Sequence, residues 1–162
     1  MSSVKASRSG LRLVGFMAAS FTAGAIGSLA TFANVRTWYP LLHKPSWNPP
    51  SWIFGPVWTV LYVLMAVAIW RAWRASASDA VRSRLVIGYF GQLALNAGWS
   101  IIFFGLKQPA WAFVDIIALW ALLVALQIDI RRTDRLAGWL WLPYLLWVSF
   151  ATALNLAIVW LN

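Results

Sequence analysis

The chain has 162 residues, of which 62% are hydrophobic and only 10% are charged. This composition excludes an ordinary soluble domain, in which about a quarter of the residues are charged, and a disordered chain, which needs low hydrophobicity. The sequence has no cysteine, no glutamate and a single histidine, so disulfides and thiol chemistry are excluded. We therefore expect neither a metal site nor a resident cofactor.

Five long stretches that are almost free of charge predict five membrane-spanning helices. A span needs about 20 mainly apolar residues, and such stretches occur at about 12–34, 53–73, 85–106, 109–129 and 136–160. They are too long and too continuously apolar for the alternating strands of a membrane barrel. The sequence thus predicts an all-α membrane protein, a five-transmembrane-helix bundle that forms a single integral membrane domain over residues 1–162.

Small residues recur on one face of the first predicted helix, where residues four apart lie together. One row comprises Gly15, Ala19, Ala23 and Gly27, and a second row comprises Ser20, Gly24 and Ser28. Small side chains let membrane helices approach closely. Packing within the bundle, the seam of a dimer, and a flat wall beside a ligand are all consistent with these rows.

The segment between the first two helices, residues 34–52, has a composition of its own. It contains four prolines and three tryptophans. Proline interrupts a regular helix, and a high content of large aromatic side chains is not typical of a flexible tether. We predict a structured aromatic and proline-rich loop that covers the ends of the helices.

Aromatic and polar residues share faces of the four later helices. These faces contain Trp58 and Tyr62 on helix two, Tyr89, Gln92, Asn96 and Trp99 on helix three, Trp111 and Asp115 on helix four, and Tyr144, Trp147, Ala151 and Asn155 on helix five. Because polar groups are costly in lipid, we expect these faces to meet and to line a pocket for a large, flat, apolar molecule. Hydrogen bonds between helices would equally explain Gln92, Asn96 and Asn155.

Two isolated titratable residues offer little for acid–base catalysis. Asp115 is the only acid inside a predicted span and has no companion carboxylate, so we expect a basic partner rather than a proton relay. Three basic residues on the same side of the predicted membrane are candidates: Arg36, Lys44 and Lys107. His43 lies in the long loop without a visible Ser-His-Asp arrangement.

The 13 basic residues are distributed unevenly across the predicted membrane. One side carries Lys5, Arg8, Arg12, Arg71, Arg74, Arg82, Arg84, Arg131, Arg132 and Arg135, and the other carries Arg36, Lys44 and Lys107. The positive-inside rule then places the N-terminus in the cytoplasm. Topology explains the net charge of +9, and we expect no nucleic-acid partner.

Five motifs follow one another along the chain. They are Trp38-Tyr39-x-x-Leu42-x-Lys44-Pro45-Ser46-Trp47-x-Pro49-Pro50-x-Trp52, Gly55-Pro56-Val57-Trp58-x-x-Leu61-Tyr62, Gly91-Gln92-Leu93-Ala94-Leu95-Asn96-x-x-Trp99 with Phe103-Phe104-Gly105, Trp111-Ala112-x-Val114-Asp115, and Pro143-Tyr144-Leu145-x-Trp147 with Phe150-Ala151-Thr152-x-Leu154-Asn155. Together they resemble the translocator protein family, whose members are also called tryptophan-rich sensory proteins or peripheral-type benzodiazepine receptors. The resemblance covers roughly residues 12–160.

This resemblance implies a five-helix bundle, commonly a homodimer, with a ligand cavity between the helices. Members bind porphyrins, such as protoporphyrin IX or haem, and isoquinoline or benzodiazepine ligands. The expected function is that of a membrane sensor or transporter for tetrapyrroles. Position by position, the cavity carries over to Trp38, Trp58, Tyr62, Gln92, Asn96, Trp111, Trp147, Ala151 and Leu154.

Two other functions remain open. Some bacterial members promote light-dependent breakdown of porphyrins, and the resemblance implicates Trp38 and Trp147 as the residues that would take part in this catalysis. Alternatively, the chain is a structural or regulatory membrane partner. The small-residue row that begins at Gly15 would then be its assembly seam.

The end of helix five departs from the animal members of the family. Those members end with a tyrosine followed by an arginine, the proposed cholesterol motif, and residues 154–162 contain neither. This difference argues against sterol binding. It favours a bacterial member in the cell envelope.

Overall fold

Five long helices make up most of the computed structural model, which describes residues 2–162 and the side chains from Ser9 onward. They are α1 (Ser2–Phe32), α2 (Phe54–Ala75), α3 (Asp79–Ser100), α4 (Pro109–Thr133) and α5 (Arg135–Leu161). Each contains a stretch long and apolar enough to cross a membrane, and the described chain contains no strand. The predicted five-transmembrane-helix bundle is therefore confirmed.

The helices extend beyond the apolar stretches that predicted them. The clearest case is α3, which starts at Asp79 rather than near residue 85 because the Ser78 hydroxyl accepts a hydrogen bond from the Val81 amide at 3.4 Å. Similarly, α4 continues past residue 129 to include Arg131 and Arg132, whose charges suit the carboxyl end of a helix. Apolar length marks the part of a helix inside lipid, whereas capping and charge determine where the helix ends.

The first helix also differs from its predicted bounds, since it runs from Ser2 to Phe32 rather than over 12–34. Two of the basic residues used to predict orientation, Lys5 and Arg8, lie outside the side chains that the structure describes.

The helices form a ring in the order α1, α2, α5, α4, α3, because each packs mainly against its two neighbours in that order. Far from the loop the centre of the ring is closely packed, and Met65, Ala66, Ile69 and Ala72 of α2 expose no surface. At the loop end the centre is not filled. A cavity remains there between the helices.

The loop between α1 and α2 is structured, as predicted. It contains short 3₁₀ turns at Tyr39–Leu41 and Ser51–Ile53. The Lys44 ammonium group donates to the carbonyl oxygens of Tyr39 at 2.9 Å and Leu42 at 2.7 Å. A third, longer hydrogen bond of 3.3 Å joins the ammonium group to the Pro40 carbonyl oxygen. One cation thus stabilises the turn through three backbone oxygens.

Two further contacts hold the loop in place. The Tyr39 hydroxyl donates to Asn48 Oδ1 at 2.8 Å, and burial raises the pKa of Tyr39 to about 12, so the phenol stays a neutral donor at physiological pH. The side-chain amide of Asn162 exchanges two hydrogen bonds of 3.0 Å with the backbone of His43. This exchange ties the loop to the end of α5.

Candidate ligand cavity

The cavity at the loop end of the ring has a volume of about 570 Å³ and is bordered by all five helices and the loop. Eleven aromatic side chains line it: Phe21, Phe32, Tyr39, Phe54, Trp58, Tyr62, Trp99, Phe103, Phe104, Trp147 and Phe150. None of its described lining residues carries a formal charge. Its wall is therefore apolar and aromatic, with a few neutral polar groups.

Pairs of aromatic rings form flat surfaces on two sides of the cavity. Trp58 and Tyr62 stack with ring centroids 5.5 Å apart and planes inclined by 28°. Trp99 and Phe103 stack at 5.1 Å and 26°. Such near-parallel pairs are an energetically favourable arrangement of aromatic rings, and all four residues line the cavity.

A chain of hydrogen bonds leads from the cavity wall into the core. The Tyr62 hydroxyl donates to Asn96 Oδ1, and the Asn96 amide donates to the Tyr144 hydroxyl, both at 3.3 Å. The Tyr144 hydroxyl in turn donates to Gln92 Oε1 at 2.8 Å. Because Gln92 and Tyr144 expose no surface, these bonds satisfy polar groups that water cannot reach.

A second polar contact joins three helices at the side of the cavity. Trp99 donates its indole N–H to Asn155 Oδ1 at 2.9 Å, and the Asn155 amide donates to the Pro109 carbonyl at 2.9 Å. The polar residues on the predicted helix faces thus do form hydrogen bonds between helices. Asn96, Trp99 and Asn155 also border the cavity, so packing and lining occur together.

Members of both small-residue rows on α1 make close contacts within the bundle. A Cβ atom added to Gly24 would lie 2.8 Å from Cζ of Tyr62, and one added to Gly27 would lie 3.0 Å from the Ser100 hydroxyl oxygen. Ala23 is buried in the core as well, whereas Ala19 is half-buried and Gly15 is exposed. The rows therefore serve internal packing at their loop end, and a homodimer stays a prediction.

The structure places six of the nine expected ligand residues on the cavity wall. They are Trp58, Tyr62, Asn96, Trp147, Ala151 and Leu154. These residues come from α2, α3 and α5. The aromatic and polar faces expected on these three helices therefore do meet at the cavity.

Three expected residues do not line the cavity. Gln92 lies one layer deeper, where it holds Tyr144. Trp38 packs edge-on against Phe103 at 5.7 Å and is thereby kept behind the wall. Trp111 is 67% exposed on the outside of the bundle, because α4 turns its neighbour Ala112 inward instead.

Several lining residues were not expected from the sequence. Phe103 and Phe104 belong to a π-helical segment, Ile101–Gly105, in which the Leu106 amide donates to the Ile101 carbonyl at 2.8 Å. The carbonyl of Phe104 accepts a hydrogen bond from the Asn34 side chain at 2.9 Å. Phe103 and Phe104 belong to the third motif of the resemblance, but the wider π turn that directs them into the cavity leaves no side-chain pattern of its own.

Helix α1 supplies another part of the wall, through Phe21, Ala25, Ser28, Thr31 and Phe32. A flat wall beside a ligand was one of the interpretations left open for the small-residue rows of this helix. The second row of small residues on this helix, which includes Ser28, was the available signal.

The cavity opens sideways between α1 and α2. Its exposed lining residues lie on α1, in the 3₁₀ turn just before α2, and on α2 itself: Phe21, Ala25, Ser28, Phe32, Ser51, Gly55 and Thr59. All of them fall within the two membrane-spanning segments. The opening therefore faces the lipid side of the bundle.

Asp115 does not have the basic partner that was expected. One carboxylate oxygen has no hydrogen-bond partner among the described residues, and the other lies 3.4 Å from the position of a Cβ on Gly98. Lys44 is instead used by the loop carbonyls. Asp115 is not among the residues that line the cavity.

The chain matches known proteins along almost its whole length, and the TspO/MBR family matches residues 16–161. Tryptophan-rich protein TspO of Archaeoglobus fulgidus is 43% identical, over 94% of this chain and 97% of that protein. Translocator protein of Homo sapiens is 37% identical, over 88% of this chain and 85% of its own length. Tryptophan-rich sensory protein of Cereibacter sphaeroides is 36% identical, over 86% and 85% respectively. This multi-pass integral membrane protein therefore belongs to the TspO/MBR family.

Proposed function

We propose that the protein is a membrane sensor or transporter that binds a tetrapyrrole, such as protoporphyrin IX or haem, in the cavity beneath the loop. The supporting observation is the aromatic wall. The volume of the cavity, about 570 Å³, falls within the range of about 300–1,000 Å³ that is usual for small-molecule sites. The stacked rings suit a flat macrocycle, and isoquinoline or benzodiazepine ligands would compete for the same wall.

The charges around the cavity suggest how an acidic porphyrin would lie in it. Since the described lining is uncharged, the macrocycle belongs inside the cavity, and its carboxylates belong at the loop end, outside the membrane-spanning segments. Arg36 is exposed and directly follows the lining residue Val35. Its guanidinium group is the cation that we assign to these carboxylates, because Lys44 is already bonded to the loop backbone.

Two tryptophan variants test the site. Trp147→Ala removes a ring from the wall, whereas Trp111→Ala removes a ring of equal size from the outer surface. We expect Trp147→Ala to weaken protoporphyrin IX binding by about tenfold or more, since a large aromatic anchor contributes about 2 kcal/mol. Quenching of the remaining tryptophan fluorescence by added porphyrin measures this affinity. Trp111→Ala should bind like the unchanged protein, and an equal loss in both variants would contradict the site.

Net movement of the ligand separates a sensor from a transporter. The protein is reconstituted into sealed liposomes, and protoporphyrin IX is added outside. Accumulation inside that exceeds protein-free vesicles and disappears in Trp147→Ala supports transport. Saturable binding without such accumulation supports a sensor.

One observation favours light-dependent porphyrin breakdown as a second function. The indole of Trp147 lies on the cavity wall, where it can exchange one electron reversibly with an excited macrocycle, so that dissolved dioxygen is the net oxidant of the breakdown. Trp38 lies behind Phe103, at a centroid distance of 5.7 Å, and would act through that ring. Illumination of the protein with excess porphyrin should then give more than one equivalent of product, and Trp147→Phe should abolish it. A yield that survives Trp147→Phe contradicts this function.

A further inference from the structure

A second concave site lies between α4 and α5, at the end of the bundle opposite the loop. This depression has a volume of about 740 Å³, and we call it the arginine depression. Its lining residues are Ile128, Arg131, Arg132, Thr133, Arg135 and Trp139. None of these residues lines the aromatic cavity.

The nearby carboxylates are already used by other arginines. Asp129 forms an ion pair with Arg84 at 2.8 Å, and Asp134 forms one with Arg71 at 2.9 Å. Within the part of the chain that has described side chains, the three arginines of the depression form no ion pair. Three positively charged residues therefore line one depression without an ion-pair partner among the described side chains.

The turn between the two helices fixes the backbone positions from which these exposed arginines extend. A single residue, Asp134, separates α4 from α5, and its carboxylate caps the new helix by accepting from the Ala137 amide at 2.9 Å. Gly138 brings the helices close, because an added Cβ would lie 2.8 Å from Cβ of Arg131. The depression is thus part of a tight helical hairpin rather than of a loose loop.

Apolar side chains border the charged part of the depression. Trp139 is 59% exposed and Ile128 is 46% exposed. The Arg131 guanidinium carbon lies 5.3 Å from the Trp139 ring centroid. Stacking of this kind leaves the N–H groups at the edge of the guanidinium available for an oxyanion.

We propose that the arginine depression binds the phosphodiester headgroup of one anionic membrane lipid. The guanidinium groups contact the phosphate oxygens, and an acyl chain lies along Ile128 and Trp139. Basic pockets between membrane helices suit such headgroups. A lipid is favoured over a free phosphate because the exposed indole and isoleucine offer apolar contacts that an inorganic ion does not use.

The test compares two double variants that lose the same charge. Arg131→Gln/Arg135→Gln removes two of the three guanidinium groups of the depression. Arg12→Gln/Arg74→Gln removes two guanidinium groups that also lie over indole rings, those of Trp73 and Trp70, elsewhere in the chain. Each protein, checked for helicity and a single elution peak, is titrated in neutral detergent with dioleoyl phosphatidylglycerol, dioleoyl phosphatidylcholine or inorganic phosphate. Native mass spectrometry counts the bound molecules.

We expect one molecule of phosphatidylglycerol to bind the unchanged protein and the Arg12/Arg74 control, and its affinity to fall about tenfold in the Arg131/Arg135 variant. Equal losses in both double variants would show only diffuse attraction and overturn the proposal. So would equal binding of phosphatidylcholine, or equally tight binding of inorganic phosphate. If Arg131→Gln/Arg135→Gln does not fold, Arg131→Lys/Arg135→Lys takes its place, with weaker headgroup binding expected and unchanged binding contradicting the geometry.

Discussion

At the scale of single residues, the cavity depends on which small side chains stand beside the aromatic rings. Gly24 lies against Tyr62, which stacks on Trp58 and donates to Asn96. The absence of a side chain at Gly24 therefore sets the position of a ring and of a hydrogen-bond donor together. Spacing alone predicted a row of small residues, but the partner of each one depends on how α1 is rotated.

Gly24→Ala should damage the site although it is a minimal change. The new methyl group would displace the Tyr62 ring, and overpacking of this kind costs about 1–3 kcal/mol. We expect a lower unfolding temperature and weaker protoporphyrin IX binding. Gly15→Ala is the matched control, since nothing lies within 4 Å of its added Cβ and alanine favours a helix by up to about 1 kcal/mol. Equal behaviour of the two variants would contradict the contact.

Tyr144→Phe should destabilise the core without changing its shape. The lost hydroxyl accepts from Asn96 and donates to Gln92, and leaving such buried groups unpaired costs about 1–3 kcal/mol. Unfolding in a denaturing detergent, followed by circular dichroism, measures the loss. Gln92→Leu added to Tyr144→Phe should recover part of the stability, because one unpaired amide is then removed. No recovery would mean that the two side chains do not act as a pair.

At the scale of elements, hydrophobic runs were enough to predict five helices but not their ends or their rotation. The end of α3 shows why, since its π-helical segment depends on a wider backbone hydrogen bond that leaves no side-chain pattern. Helix α4 shows the problem of rotation. It is apolar on most sides, so the sequence did not show that Trp111 faces outward while Ala112 faces inward. Helices α2, α3 and α5 carry polar side chains on one face, and the cavity residues predicted there did converge, except for Gln92.

The loop between α1 and α2 should loosen when its central cation is removed. Lys44→Met keeps the length of the side chain but loses the three hydrogen bonds to loop carbonyls. We expect faster amide hydrogen exchange over residues 39–53 and faster dissociation of bound porphyrin. His43→Ala is the control, because His43 contacts Asn162 through its backbone only. Unchanged exchange in Lys44→Met would show that the prolines alone fix the loop.

At the scale of the whole molecule, the distribution of charge predicts the orientation in the membrane, and the order of the helices in the ring determines where the cavity opens. The ring places α1 beside α2, and the cavity opens between these two helices. The described basic residues at the end away from the loop still outnumber those at the loop end. The excess of basic residues that predicts a cytoplasmic N-terminus therefore remains when Lys5 and Arg8 are left out of the count.

Labelling of single introduced cysteines should reveal this orientation, because the sequence contains no cysteine of its own. Ala77→Cys lies exposed between α2 and α3, and Ser46→Cys lies exposed in the long loop. In intact cells, a membrane-impermeant maleimide should label Ser46→Cys directly and Ala77→Cys only after the cells are opened. The reverse pattern would place the N-terminus outside.

The sideways opening between α1 and α2 changes what a binding constant means for this protein. A ligand that enters from hydrocarbon has already left water, so its transfer from water into the bilayer contributes no selectivity at the cavity itself. Selectivity then arises from ring stacking, from a few neutral hydrogen-bonding groups and, for an acidic ligand, from the proposed contact with Arg36. The relevant ligand concentration is then its mole fraction in the lipid or detergent phase. Titrations at different detergent-to-protein ratios should agree only when the ligand concentration is expressed as that mole fraction.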